Sequence, residues 1–286
     1  MRYLDMSEHT FAATLSMVRQ AVEQARSELA GVLWVHIGGV VSTEFPDVVA
    51  FCRGEKLFVL EDCAHAHGSA FGGIKAGKLA DGAAFSFFAT KVMSTCEGGI
   101  VTTDDTEEDY LLRSLRNQGK RGMDYGGLHH DFGNSSRLPE ITALLGRLQL
   151  RRLPHILQKR QTAYETITAR LADAGVAYVS TDHMDTASHY KLIVRIPAGL
   201  RVEDVKRALL DDGIVPGGAV YEAPCHRQPV FSGVGNGGSW PVAEHWCPRH
   251  IWPALTSGMS EQDAQRVGES LARNLGERRT VRRARA

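Results

Sequence analysis

Leu57-Phe58-Val59-Leu60-Glu61-Asp62-Cys63-Ala64-His65-Ala66-His67-Gly68 is the stretch that decides the fold. The apolar run Leu57 to Leu60 is too short for a helix and lacks the alternation of a half-exposed strand. It reads as a strand buried on both faces, as in parallel sheets covered by helices. The run stops at Glu61-Asp62, so Asp62 follows the strand directly. In open α/β sheets the ligand crevice lies at the carboxyl ends of the strands, where a carboxylate can meet a ligand.

The flanks repeat the pattern. Phe11, Leu15, Val18, Val22, Ala25 and Leu29 fall on one helical face, with Gly31 as the stop. Val32-Leu33-Trp34-Val35 is a second buried strand, broken by Gly38-Gly39, and a helix is expected over residues 43–53 with Thr43 as its N-cap. Downstream, Ala83 to Phe88 and Ile100 to Thr103 read as strands, and residues 107–117 as a helix. Residues 118–135 lack periodicity and read as a long loop; such loops are usually functional. A long helix fits residues 138–174, kinked at Pro154. Strands are expected at 176–179 and 190–194, a helix at 202–212, a Pro-, Gly- and His-rich loop at 224–253, and a closing helix at 261–275. The fold expected is α/β, a mostly parallel sheet covered by helices, with a smaller C-terminal α/β domain. The boundaries predicted are 1–164 for the large domain, 165–277 for the small one, and 278–286 for a disordered basic tail.

Composition narrows the function. Of 286 residues, 33 are Lys or Arg and 33 are Asp or Glu, so the formal charge is zero. That argues against a nucleic-acid binder, which needs basic excess to displace phosphate counterions. No apolar run reaches the roughly 18 residues of a membrane span, and Met1-Arg2-Tyr3-Leu4-Asp5 begins no signal core. The five cysteines show no paired spacing and read as free thiols of a cytoplasmic protein. Cys225, His226, His245, Cys247 and His250 do not match paired zinc-ligand spacings, so no metal is expected.

Lys91 follows the strand ending at Phe88 by a few residues, as Asp62 follows its own. A lysine and a carboxylate at the ends of two strands of one sheet are what pyridoxal phosphate (PLP) chemistry requires. The amine attacks the aldehyde, and the carboxylate keeps the pyridine nitrogen protonated, which makes the ring an electron sink. Spacing alone favours the ordinary reading, a surface Lys91 and a helix-capping or loop Asp62.

The wording of several blocks adds to this reading. Val35 to Gly39, Glu61 to Gly68, Ser86-Phe87-Phe88-Ala89-Thr90-Lys91 with Glu97-Gly98-Gly99, Gly133 to Arg137, and Val220 to His226 occur in one order. Together they resemble the DegT/DnrJ/StrS-type sugar aminotransferases, type I-fold PLP enzymes that aminate nucleotide-linked keto sugars. The resemblance implies Lys91 as the Schiff-base lysine, Asp62 at the pyridine nitrogen, and His65 beside the ring, where many relatives carry glutamine. It implies Ser86 on the phosphate, and Asn134 reaching the phosphate of a neighbouring subunit, hence a homodimer. His226, Arg137 and His130 are expected on the substrate, and glutamate is the expected amino donor. Relatives carry a further segment before the point matching Met1, with a Gly-Thr or Gly-Ser pair at a helix N-terminus that holds the phosphate. The expectation is therefore an N-terminally truncated relative. The competing reading is a catalytically silent chain that pairs with a full-length relative.

Overall fold

Val18, Val22 and Ala25 are buried along one side of the first helix, α1 (Leu15–Ala25). It is shorter than the apolar spacing predicts, because Phe11 takes a φ of 57°, which no right-handed helix includes. Strand β1 (Gly31–Val35) follows, then a 3-10 turn over Ile37–Gly39. Helix α2 (Phe45–Gly54) begins two residues later than expected. Glu44 holds the N-cap position without a side-chain bond, Pro46 opens the first turn, and Thr43 is not the cap. Strand β2 (Phe58–Asp62) pairs in parallel with β1, Leu33 opposite Leu60 and Val35 opposite Asp62. The computed structural model describes residues 1–25, 28–122, 127–217, 222–234 and 238–276, so the basic tail lies outside the described residues.

A two-residue hairpin, β3 (Ala70–Phe71) and β4 (Ile74–Lys75), leads to β5 (Gly82–Ser86) and β6 (Gly99–Thr103). The sheet order is β1-β2-β5-β6, with β2 and β5 parallel and the edge strand β6 antiparallel. The mostly parallel sheet expected from sequence is present. Helix α3 (Thr106–Arg116) is capped by Asp105, whose carboxylate accepts from Glu108 N at 2.9 Å.

Helix α4 (Glu140–Asp173) runs through Pro154 as one helix. The strands expected at 176–179 and 190–194 reduce to a bridge between Tyr178 and Val194 and to β7 (Val194–Arg195). Helix α5 (Val202–Asp211) follows. The stretch read as loop from 224 to 253 also contains α6 (Pro241–Trp246) and β8 (His250–Ile251), which pairs with β7. Ser260 caps the last helix, α7 (Glu261–Leu275), by accepting from Asp263 N at 3.1 Å.

The apolar interior forms two large clusters. One holds Val18, Trp34, Phe45, Val48 and Val59, between α1, α2 and the sheet. The other holds Ile167, Leu171, Leu192, Ile196, Leu209, Leu271 and Leu275, where α7 packs on the end of α4 and on α5.

Alternation along the strands gives the sheet two unlike faces. Trp34, Val59, Glu61 and Ala83 point to the helical side and are buried. Leu33, Phe58, Leu60 and Val101 point to the other and are 68%, 47%, 40% and 52% exposed. Asp62, Ala84 and Ser86 share that open face by register.

Candidate active site

Glu61 and Asp62 point to opposite sides of β2. Glu61 is buried, and its Oε2 accepts from His36 Nε2 at 2.9 Å and Gly77 N at 2.7 Å. Its Oε1 accepts from Leu79 N at 3.3 Å and Ala80 N at 3.1 Å. Burial alone would push this carboxyl up, but these donors, His36 first, hold it below the ordinary carboxylate range. Ligand atoms of Glu61, His36 and Cys63 lie within 4.8 Å of one another. The carboxylate is already filled by N–H donors, and through them Glu61 anchors the 77–80 turn. Burial, then the Glu61 charge, pushes the Cys63 thiol up, leaving it a protonated packing group.

Asp62 stands at the carboxyl end of β2, where its Oδ1 accepts from Ala64 N at 2.9 Å. Ser86 closes β5 on the same face, and its Oγ accepts from Phe88 N at 3.3 Å. Lys91 follows in a turn fixed by Lys91 N donating to Phe88 O at 2.9 Å. Burial pushes the Lys91 amine down from the usual lysine value, and the Asp62 charge partly opposes this. A carboxylate, a hydroxyl and a half-buried amine of lowered basicity thus surround an open patch of sheet. This donor set fits PLP: an amine for the aldehyde, a carboxylate for the ring nitrogen and a hydroxyl for phosphate.

His65 is buried and lies against Tyr190, ring centroids 4.3 Å apart and tilted 32°. Its Nδ1 accepts from Gly38 N at 3.2 Å. Burial, then the charges of Lys91 and Lys191, lowers its pKa to about 3, so it is neutral at neutral pH. His67, buried nearby beside Phe85, is lowered to about 4, chiefly by burial.

A polar knot holds this arrangement. Ser69 Oγ donates to Gly39 O at 2.7 Å and accepts from Ser188 N at 3.0 Å, while Ser188 Oγ donates to His65 O at 2.6 Å. Gly39 has a φ of 92°, and a Cβ there would lie 1.9 Å from Ser188 Oγ, so only glycine admits the approach. From α4 the buried Arg160 donates to the carbonyls of Ser188 at 3.0 Å, His189 at 2.6 Å and Tyr190 at 3.2 Å.

Sequence reasoning missed Tyr190, Lys191 and Arg160. Lys191 left one signal, a lone charge entering the apolar run Leu192-Ile193-Val194. Arg160 left none, since a single arginine on a long helix resembles any solvated position.

The remaining expected residues lie on other elements. Asn134 is exposed, its backbone pinned by Asn134 N to Leu115 O at 2.8 Å. Arg137 donates to Asn117 Oδ1 at 3.0 Å. His130 is exposed beside Asp131, whose carboxylate is held at about 2 by hydrogen bonds from Arg121 and Ser114. The loop at 118–135 is therefore more ordered than its composition implies, with antiparallel bridges Asn117 to Ser135 and Lys120 to His129; residues 123–126 lie outside the described residues. His226 stacks on Trp240 with centroids 4.3 Å apart and bonds Glu244 Oε1 at 3.0 Å.

A parallel sheet presenting a lysine and an aspartate at adjacent strand ends defines the class, a type I-fold PLP enzyme. The profile of the DegT/DnrJ/EryC1/StrS aminotransferase family matches residues 2–272, and the chain belongs to that family, whose members depend on PLP. It is 31% identical, over 93% of its length and 72% of the relative, to the dTDP-3-amino-3,4,6-trideoxy-alpha-D-glucose transaminase of Micromonospora megalomicea subsp. nigra. It is 27% identical, over 96% of its length and 71% of the relative, to the UDP-N-acetyl-3-dehydro-alpha-D-glucosamine 3-aminotransferase of Acidithiobacillus ferrooxidans. Among solved structures, DesI with its TDP-sugar product covers all of this chain with 72% of its own, at 26% identity and a TM-score of 0.84. No helix among the described residues is long and apolar enough to cross a membrane.

Proposed function

We propose that this chain is a PLP-dependent aminotransferase of a nucleotide-linked keto sugar, with glutamate as the amino donor, acting in the cytoplasm. The observation that carries the reading is the half-buried Lys91 beside Asp62 and Ser86 at the open end of a parallel sheet. When bound, the cofactor supplies an aldehyde for amine exchange and a ring that takes up the electron pair of a substrate carbanion.

Asp62 holds a proton on the ring nitrogen. Lys91, its basicity lowered by burial, would move a proton at Nζ from one carbon to another. Ser86 binds phosphate, and neutral His65 packs beside the ring without adding charge. Asn134, exposed on its loop, extends to the phosphate site of a second copy, so the working unit is a homodimer. His226, Arg137 and His130 serve the substrate. The large domain takes residues 1–164 and the small domain 165–277, a division that the two apolar clusters support.

A second reading, a silent partner of a longer relative, draws support from the exposed Leu33, Phe58 and Leu60 around Asp62. Borohydride treatment of the purified chain with added PLP separates the two. A tag on the Lys91 peptide, lost in Lys91→Ala, is expected of the enzyme; no tag, or one on another lysine, rejects it.

A further inference from the structure

Two amines share one ring in this site. Lys91 Nζ lies 4.9 Å from the Tyr190 ring centroid, and Lys191 Nζ lies 5.1 Å from it. Because both distances run to one point, the amines stand within about 10 Å of each other. Both side chains are half-buried, so salt screens the pair less than it would on the surface. At an effective dielectric of about 20, repulsion across that span is worth at least about one pH unit in a titration.

The backbones under both amines are pinned. Thr90 Oγ1 and the Tyr190 hydroxyl share a hydrogen bond at 3.0 Å, which ties the Lys91 turn to the segment carrying Lys191. Lys191 N donates to Gly38 O at 3.2 Å, and its amine stands 4.1 Å over the Trp252 ring. The other charged groups here favour neither amine alike. Asp62, from β2, attracts the Lys91 charge, whereas no carboxylate among the described residues ion-pairs Lys191. His65 and His67 are neutral at neutral pH, and Arg160, from α4, is answered by three carbonyls. Burial, then the Lys91 charge, lowers the Lys191 amine to about 8, so most of it still carries a proton at neutral pH.

We propose that Lys91 and Lys191 form one acid–base pair, in which the charge of Lys191 drives the proton on Lys91 toward the substrate carbon. Beside Asp62 alone, Lys91 would hold that proton, since a carboxylate favours the charged amine. Facing a second cation, it releases the proton more readily, and Lys191 then holds its own more tightly. Lys191 acts through Lys91 and is a positioning residue of charge. Its use rests on the aminotransferase reading above, whereas the coupling belongs to the free site.

Competitive labelling of the purified chain with acetic anhydride across a pH series tests this, with the Lys91 and Lys191 peptides read by mass spectrometry. In the wild type Lys191 should half-titrate near pH 8. Lys91→Met removes the neighbouring charge and should move that point up by about one pH unit or more; Lys91→Arg keeps the charge and should leave it in place. Coupling is reciprocal, so Lys191→Met should raise the half-titration of Lys91 by a similar amount, and Lys191→Arg should not. The glutamate half-reaction at pH 7 should run roughly tenfold slower in Lys191→Met, with most of the rate kept in Lys191→Arg. A Lys191 curve unchanged in Lys91→Met, Arg variants that shift as far as the Met variants, or a wild-type rate in Lys191→Met would each overturn the proposal. Labelling is read without cofactor or turnover, so its failure leaves the borohydride test of Lys91 standing, and failure there leaves the coupling standing.

Discussion

Arg160 donates to the carbonyl of His189 at 2.6 Å, a buried guanidinium in the middle of a helix holding the strand-like segment that carries Tyr190. Burial lowers its pKa to about 10, still well above neutrality, so the charge is kept and three carbonyls answer it. Replacing it by Met would leave those acceptors without their donor inside the protein. Arg160→Met should cost about 2–5 kcal/mol, read by urea unfolding. A change below 0.5 kcal/mol, the usual range of a surface substitution, would refute the anchoring role.

Asp62→Asn keeps the side-chain shape and removes the charge that holds the ring proton. The half-reaction with glutamate should slow at least about a hundredfold, roughly 3 kcal/mol of transition-state stabilisation. Stopped-flow absorbance of the cofactor reads this. Near-normal rates would contradict the role given to Asp62.

Glu61→Gln puts an amide where four N–H groups converge. One half of that amide must face donors with a donor. A loss of about 2–4 kcal/mol is expected. Because the folded carboxyl titrates below its unfolded value, its contribution is present above about pH 4.5 and fades as pH falls through the folded value. The gap between wild type and Glu61→Gln should therefore close in acid, and a gap constant from pH 7 to pH 3 would contradict the assignment.

Three buried histidines make a second acid-sensitive group. His65 is lowered to about 3, and His67 and His189 to about 4, each mainly by burial. Unfolding returns each to roughly 6.5, so the unfolded chain takes up protons that the folded chain refuses. Stability is full above about pH 6.5 and falls as pH drops toward 4. His189→Gln should remove close to one proton from the slope across that window, about 1.4 kcal/mol per pH unit. An unchanged slope would show that His189 is protonated when folded.

The uncovered sheet face has its own consequence. Leu33, Phe58 and Leu60 form a contiguous exposed apolar patch, and such patches drive association. Light scattering of the purified chain should show concentration-dependent assembly that the double substitution Leu33→Lys and Phe58→Lys reduces. No change would mean the face is not in contact.

Much of this was legible in the chain. Strands β1 and β2 announce themselves as unbroken apolar runs, and the start of α7 follows from Ser260 and the spacing Ala264, Val267, Leu271. Lys91 and Asp62 are legible because local wording places them at strand ends. The antiparallel direction of β6 is not, since a run such as Ile100-Val101-Thr102-Thr103 pairs equally well either way. Tyr190 and Lys191 reach His65 only through tertiary contacts, and no local period encodes them. Thr43 failed as a cap because Pro46 and Glu44 moved the helix start.

The Ser69 to Ser188 bond joins residues 119 apart in the chain, and Ser188 Oγ to His65 O spans 123. Contacts of such separation must first overcome the entropy of closing a long loop, and they form slowly. Asp62, Ser86 and Lys91 lie within one continuous stretch of the sequence and can come together early. Tyr190 and Lys191 join them only after the α4 segment has been synthesised and folded back. A nascent or pulse-refolded chain would thus hold its lysine and aspartate before Ser188 closes on His65, so reactivity toward PLP should return ahead of hydrogen-exchange protection of the Ser188 amide.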